Sequence, residues 1–533
     1  MDGRTKVKRC STCATRKIAC DLKYPACSQC LLTGRECPGY HRDRVFLQQT
    51  VATPSAKNGR HKVVASRIGG TKSKKSMLQK ASSGLSGHKP SHHSALKYTI
   101  SNIAAPATSA DGVLIQTIIE NFAPTHEIGL VHIGDNSPVS LNSRICGAWV
   151  TLLPELFAES ATGAGVLCIG ARALGTAISG RLGKDESLIA ESLQLVCQGL
   201  QALRRALASR ERVPDDEVLS ASMCLKITEV LLGTSHNGWS VHIHGIAELI
   251  KDRGPSNFAT GTAHQLFISF RVFLLLEYTQ NRKSTFLASP EWLKVPFCDQ
   301  PKSSMQTLID AASPLPGLLE KFDKLRAIRS VIEDSTVHEI HMELNTVVKD
   351  LRQWETDLTS ALEGPLWWPV FSSSSGMMNS VDEEAVFPIS YQFANILTAN
   401  TMCHYWAFLA IALSEISLLE PRIQSTSVSS QFFSEPYLGT NYYDCRFSLR
   451  IQNELSTLSS NICASMAYHL HPSQKFYGPA STFFPLWIAL QIFEQDSWPQ
   501  SKRKELWCRD LFMELEGRGL PLAKHLPRCR PGI

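Results

Sequence analysis

From residue 112 onward, apolar residues recur at steps of three and four, the spacing that gathers them on one face of an α-helix. Leu193, Val196, Leu200, Leu203 and Leu207 follow it, and so do Leu344, Val347, Leu351, Trp354, Leu358 and Leu362. The first run ends among Arg204, Arg205 and Arg210, cations that suit the negative end of a helix dipole. Pro365 stops the second. Val113–Phe122 before Pro124, Val218–Leu232, Ala394–Leu419, Leu449–His469 and Phe484–Phe493 also read as helices. No stretch of useful length alternates apolar and polar residues as a half-buried strand does. The pattern predicts an all-α array of packed helix pairs over residues 112–530. Its longest apolar run, around Tyr405–Leu413, is about half of what a membrane span needs.

The N-terminal part lacks this periodicity and differs in charge. Residues 1–100 hold 20 Lys/Arg against 4 Asp/Glu, and the remainder 34 against 44. A basic head on a mildly acidic body suits a nucleic-acid-binding module joined to a separate regulatory one. Residues 51–100 contain ten Lys/Arg and no acid, with Ser, Gly and His between them. That composition cannot bury a core, so residues 46–111 are expected to be a flexible basic linker. Lys72, Lys74 and Lys75 fit a nuclear-import signal and equally an ordinary solvated stretch. No heptad run lies between the head and residue 110 to set a dimer, which leaves monomeric binding and dimerisation through the helical body both open.

Six cysteines carry the chemistry of the head. Cys10, Cys13, Cys20, Cys27, Cys30 and Cys37 form the pattern C-x2-C-x6-C-x6-C-x2-C-x6-C, one half-motif written twice. Zinc takes four thiolates tetrahedrally at about 2.3 Å. Six thiolates serve two zinc ions only if two of them bridge both metals. The internal symmetry nominates the first cysteine of each half, Cys10 and Cys27. Disulfides would need an oxidising compartment, and the segment opening at Met1 is charged and polar, unlike a signal peptide. A zinc ribbon would use four cysteines and leave two unexplained. The other ten cysteines are scattered without metal spacing and are expected to be reduced, mostly in the core.

This spacing resembles the fungal binuclear zinc-cluster (Zn2Cys6) transcription factors at every ligand position, over residues 1–45. The resemblance implies that the helix after the second cysteine enters the DNA major groove and that a basic pair near its end reads a CGG triplet. The matching residues are Arg16 and Lys17, whose cationic donors suit guanine O6 and N7. Pro25 matches the loop proline between the halves, and Tyr40, Arg42 and Phe46 resemble an extension found in one branch of the family. Two positions depart from the pattern: Ala14 and Ala19 stand where basic residues are usual, removing two phosphate contacts. Lys6, Lys8 and Arg9 lie just upstream and compensate. The body resembles, more loosely, the fungal-specific transcription factor domain. Its landmarks are Trp239, His242–Gly245, Arg253-Gly254-Pro255, Phe267, Arg271, Thr285-Phe286-Leu287, Pro290-Glu291-Trp292, Phe484-Pro485-Leu486 and Trp507 with Gly519.

Other constellations carry less. Gly163, Gly165, Gly170 and Gly175 lack the preceding strand of a nucleotide loop and suit a tight helix crossing. His242 with His244, and His469 with His471, point about 200° apart on a helix and cannot share a metal. His338 and His341 share a face without a third ligand. Asp382-Glu383-Glu384 fits a solvated loop better than an activation segment. No Ser-His-Asp order, paired-carboxylate motif or phosphate loop rises above chance, so no enzyme is expected. The expected protein is a nuclear, sequence-specific regulator of RNA polymerase II transcription that binds double-stranded DNA through two structural zinc ions. The alternative is a zinc-cluster protein without sequence specificity of its own, acting through its body on a metabolite or a protein.

Overall fold

Helix starts and stops follow local chemistry. In the computed structural model the Asp215 carboxylate accepts from the Val218 N–H at 3.0 Å, capping α5 (Asp216–Leu232). The Asn395 side chain accepts from the Thr398 N–H at 2.8 Å at the start of α11 (Ile396–Ser429). Gly254, at φ 80°, ends α6 (Gly238–Arg253) sharply ahead of Pro255. Arg253 in that last turn pairs with Asp216, so the landmark Arg-Gly-Pro is a helix stop tied to the neighbouring α5.

The structure describes residues 12–35 in part and residues 110–126, 146–159, 165–208, 215–327, 334–371, 386–429, 440–496 and 499–528, apart from positions 236 and 363. The chain divides into two units, Met1–Ser94 and Ala95–Ile533. Among the described residues the second unit is helical except for one hairpin. Its remaining principal helices are α1 (Ala110–Phe122), α2 (Leu153–Glu159), α3 (Val166–Gly183), α4 (Glu186–Ala208), α7 (Gly261–Gln280), α8 (Ser304–Ala312), α9 (Leu315–Ala327), α10 (Asp334–Ala361), α12 (Thr440–Ala464), α13 (Phe483–Gln495) and α14 (Pro499–Gly517).

Two groups of helices share one continuous hydrophobic core. In the first, α3 packs against α1, α4 and α5. A Cβ on Gly170 would stand 3.1 Å from the Ala221 carbonyl of α5, and one on Gly175 3.0 Å from Leu114 of α1. The glycines therefore set close helix crossings, as their sequence context suggested. In the second group α11 lies against α10, α12 and α13. The chain's C-terminal 3-10 segment, Pro521–Arg528, returns to α5, and the Phe476 N–H donates to the Asn121 carbonyl at the end of α1 (3.1 Å). These contacts tie the two groups together.

Three findings revise the sequence reading. First, Trp367–Phe371 and Ile389–Phe393 form an antiparallel pair, β1 and β2, with Trp367 opposite Phe393. Trp367 stacks on Tyr391 at 4.4 Å between ring centroids, so cross-strand aromatic packing makes a strand pair that too few residues alternate to announce. Second, Ile396–Pro421 is long and apolar enough to span a bilayer by composition alone; Asn400, Thr401, His404, Ser414 and Glu415 interrupt it, which hid its length. In its most apolar 18 residues 89% of the positions are buried among the other helices, so it is the central core helix. Third, the inward face of α4 is shifted from the expected one, keeping Leu203 and, half-buried, Val196. Leu193, Leu200 and Leu207 are 39%, 45% and 47% exposed, while Ile189, Ser192, Gly199 and Leu203 are buried. By contrast, Leu344, Val347, Leu351 and Trp354 of α10 are buried as expected. The segment with Asp382-Glu383-Glu384 lies outside the described residues.

Candidate metal centre and body cavity

Short local bonds shape the cysteine-bearing segment. The Arg16 N–H donates to the Thr12 carbonyl (3.2 Å) and the Ile18 N–H to the Cys13 carbonyl (3.1 Å), the hydrogen bonds of a helical turn and its end. Asp21 accepts from the Ser28 N–H at 3.0 Å, at the start of the short helix Ser28–Leu32 that follows Cys27. Cys13, Cys27 and Cys30 are buried together, with Ile18 and Cys20 packed against them. The sulfurs of Cys13, Cys20 and Cys27 all lie within 4.8 Å of one another, and those of Cys13 and Cys27 are 3.6 Å apart. Four thiolates held at about 2.3 Å by one zinc stand about 3.8 Å apart along the tetrahedron's edges. The three-sulfur donor set therefore fits a zinc ion. Arg16 is exposed at the end of the turn. Cys10 and Cys37, and with them Lys8, Arg9 and Lys17, lie outside the described residues.

The ten body cysteines have no such grouping among the described residues. Cys168, Cys224, Cys403, Cys463 and Cys508 are buried and Cys197 and Cys298 exposed. Burial pushes the Cys224 thiol far above its ordinary value and the Cys403 thiol up to about 12, which keeps both protonated and inert. The histidines of the body behave likewise. His341 pairs with Glu420 (3.1 Å) and His244 lies 3.5 Å from Glu277. Neither joins a group of metal ligands among the described residues.

The body also holds a partly open cavity of about 240 Å³ that sequence reasoning missed. Trp239 of α6, Phe273 and Glu277 of α7, Asn400 and His404 of α11, and Phe484 of α13 contribute to its wall, with the Pro521–Arg528 segment beside them. Most of the lining is aromatic or aliphatic. Glu277, buried on α7, accepts from the Ser240 hydroxyl and from Asn281 Nδ2 (2.5 Å). Asn400 donates from Nδ2 to the Tyr477 hydroxyl at 2.8 Å. Asn400 Oδ1 is buried and has no hydrogen-bond partner. His404 Nδ1 lies 2.7 Å from the Asn400 backbone carbonyl, an acceptor only, so Nδ1 carries the proton. Burial holds the His404 imidazole down at about 4, so the ring is neutral. The signal available in the sequence was Asn400 and His404, one turn apart on a mostly apolar helix.

Comparison with known proteins finds one family domain within the body. The model of the fungal specific transcription factor domain matches residues 134–318. The match runs from ahead of α2 into α9, and holds the Trp239, Arg253-Gly254-Pro255 and Arg271 landmarks. The Uncharacterized protein AN5342 of Emericella nidulans is 28% identical over 170 residues, covering 30% of this chain. The match spans about a third of that relative, 36% of its length. No solved structure matches the chain. The domain similarity points to a regulator of transcription, not to an enzyme.

Proposed function

We propose that this chain is a nuclear, sequence-specific DNA-binding regulator of RNA polymerase II transcription. Cys10, Cys13, Cys20, Cys27, Cys30 and Cys37 hold two zinc ions, with Cys10 and Cys27 as bridges. Each ion is then surrounded by sulfur, leaving no position for water or substrate, so the zinc is structural. Lys17 and Arg16 read a CGG-like triplet in the major groove, and Lys8 and Arg9 hold phosphates. The helical body serves regulation and, through self-association, dimerisation. The observation that supports this most directly is the cluster of Cys13, Cys20 and Cys27 sulfurs within 4.8 Å of one another, with those of Cys13 and Cys27 3.6 Å apart.

Ala14 and Ala19 favour a second reading, in which the head folds on zinc but lacks sequence preference and the body or a partner supplies specificity. Fluorescence anisotropy of the full chain on short duplexes with and without CGG, with zinc present or chelated, at two salt concentrations, separates the two. The first reading expects zinc-dependent CGG preference, and Lys17→Ala costs about 1–3 kcal/mol at that triplet. Binding that is salt-sensitive but indifferent to sequence supports the second. Binding unchanged by chelation sinks both.

A further inference from the structure

The body cavity has features that packing alone does not require. A buried polar atom without a partner costs about 1–3 kcal/mol. Asn400 is 2% exposed, and its Oδ1 bears that cost in the wall of a cavity. The amide is held from its other end by the Tyr477 hydroxyl, which accepts from Nδ2 at 2.8 Å. Six elements converge on the space, so it is held open by the fold and not by one loop. Its volume exceeds the ~150 Å³ that accommodates benzene and approaches the ~300 Å³ at which pockets for drug-sized ligands begin.

The chemistry of the wall narrows the occupant. Glu277 is the acidic residue of the lining, and the lining contains no lysine or arginine, so an anion is disfavoured. A cation is disfavoured too. Glu277 already accepts from Ser240 and Asn281. The buried ammonium of Lys226 sits 3.9 Å and 3.2 Å from the centroids of the Trp239 and Phe273 rings, engaging the aromatic faces that would attract another cation. Neutral His404 adds aromatic surface, its ring parallel to that of Phe484 at 6.2 Å. What remains is flat apolar space with an acceptor in its wall.

We propose that this cavity binds a small uncharged molecule of one or two rings whose hydroxyl or N–H donates to Asn400 Oδ1. This goes beyond the DNA-binding reading and does not rest on it, since the test needs no DNA. The probes are 4-ethylphenol, which can donate, ethylbenzene and 4-ethylanisole, which cannot, and phenethylamine as a cation. Binding to the full chain is measured by isothermal titration calorimetry. The expected result is that 4-ethylphenol binds about tenfold more tightly than 4-ethylanisole or ethylbenzene, a difference of about 1.4 kcal/mol. Asn400→Leu should erase that difference. Ala480→Phe, which fills the space from the wall without touching the amide, should abolish binding of every probe while circular dichroism stays unchanged. Failure of all probes to bind at millimolar concentration would overturn the proposal. So would tighter binding of phenethylamine, equal binding of donor and non-donor probes, or binding that survives Ala480→Phe.

Discussion

Arg282, just beyond the end of α7, adopts φ 52°, a left-handed conformation that costs a non-glycine residue about 1–2 kcal/mol. The surrounding charges explain why it stays there. Its guanidinium reaches both carboxylate oxygens of Asp323 in α9 at 2.9 Å and both of Glu415 in α11, at 2.7 and 3.1 Å. The arginine side chain is 4% exposed and that of Glu415 1%, so neither charge has water to fall back on. Three helices therefore meet at one fork. Removing one partner of a buried pair leaves the other charge stranded, at a cost of about 3–5 kcal/mol. Arg282→Ala should lower stability by that amount in urea unfolding. Arg282→Met combined with Glu415→Leu should recover much of the loss, because no buried carboxylate is then stranded and Asp323, 37% exposed, is left to water. A loss below about 1 kcal/mol in the single variant would mean that the pair does not fasten the helices.

At the scale of elements, α4 shows what periodicity conveys and what it omits. The leucine steps placed a helix where one is found, but its buried stripe runs through Ser192 and Gly199. The Ser192 hydroxyl donates to the Ala173 carbonyl of α3 at 2.7 Å, and a Cβ on Gly199 would lie 3.2 Å from Leu225 of α5. Small residues let helices approach closely, and they leave no apolar signal to count. Gly199→Leu should therefore destabilise the body by about 1–3 kcal/mol through overpacking, whereas Leu200→Ser should change it by less than about 0.5 kcal/mol. Comparison of thermal unfolding midpoints decides which face is the packed one; the reverse order would restore the leucine face. The same physics sets how much else was legible. The long helices α5 and α10 were readable because apolar residues and end signals agree, whereas α11 runs past Pro421 to Ser429, ten residues beyond its expected end. The half-repeats of the cysteine motif were readable because their spacing is regular, and the structure brings Cys13, Cys20 and Cys27 together. The β1–β2 pair and the cavity were not, since each depends on contacts between residues far apart in sequence: Trp367 with Tyr391, and Asn400 with Tyr477.

At the scale of the whole molecule, buried neutral histidines make the body's stability depend on pH. His404 and His469 are both buried within the second group of helices. Desolvation holds His404 at about 4 and His469 at about 3, with His404 adding to the depression of His469. Both values lie below the ordinary 6.5 of an exposed imidazole. The unfolded chain therefore takes up protons near pH 6.5 while the folded chain does not, so unfolding gains free energy as pH falls. Above pH 6.5 these residues impose no penalty. Between about pH 6.5 and pH 4 each contributes a slope of up to about 1.4 kcal/mol per pH unit, in the direction of lower stability in acid. Carboxylates act in a separate window. Hydrogen bonds from Ser284 hold Glu320 at about 2, so its contribution is lost only as pH falls below the ordinary carboxylate range. Urea midpoints of the full chain at pH 7.5, 6.5, 5.5 and 4.8 isolate the histidine window. The curve should be level down to about pH 6.5 and then fall, and His404→Gln should flatten part of that fall. A midpoint that stays constant to pH 4.8 would mean that water or a conformational opening reaches these rings, because a histidine kept dry by the fold has no other way to escape the linkage.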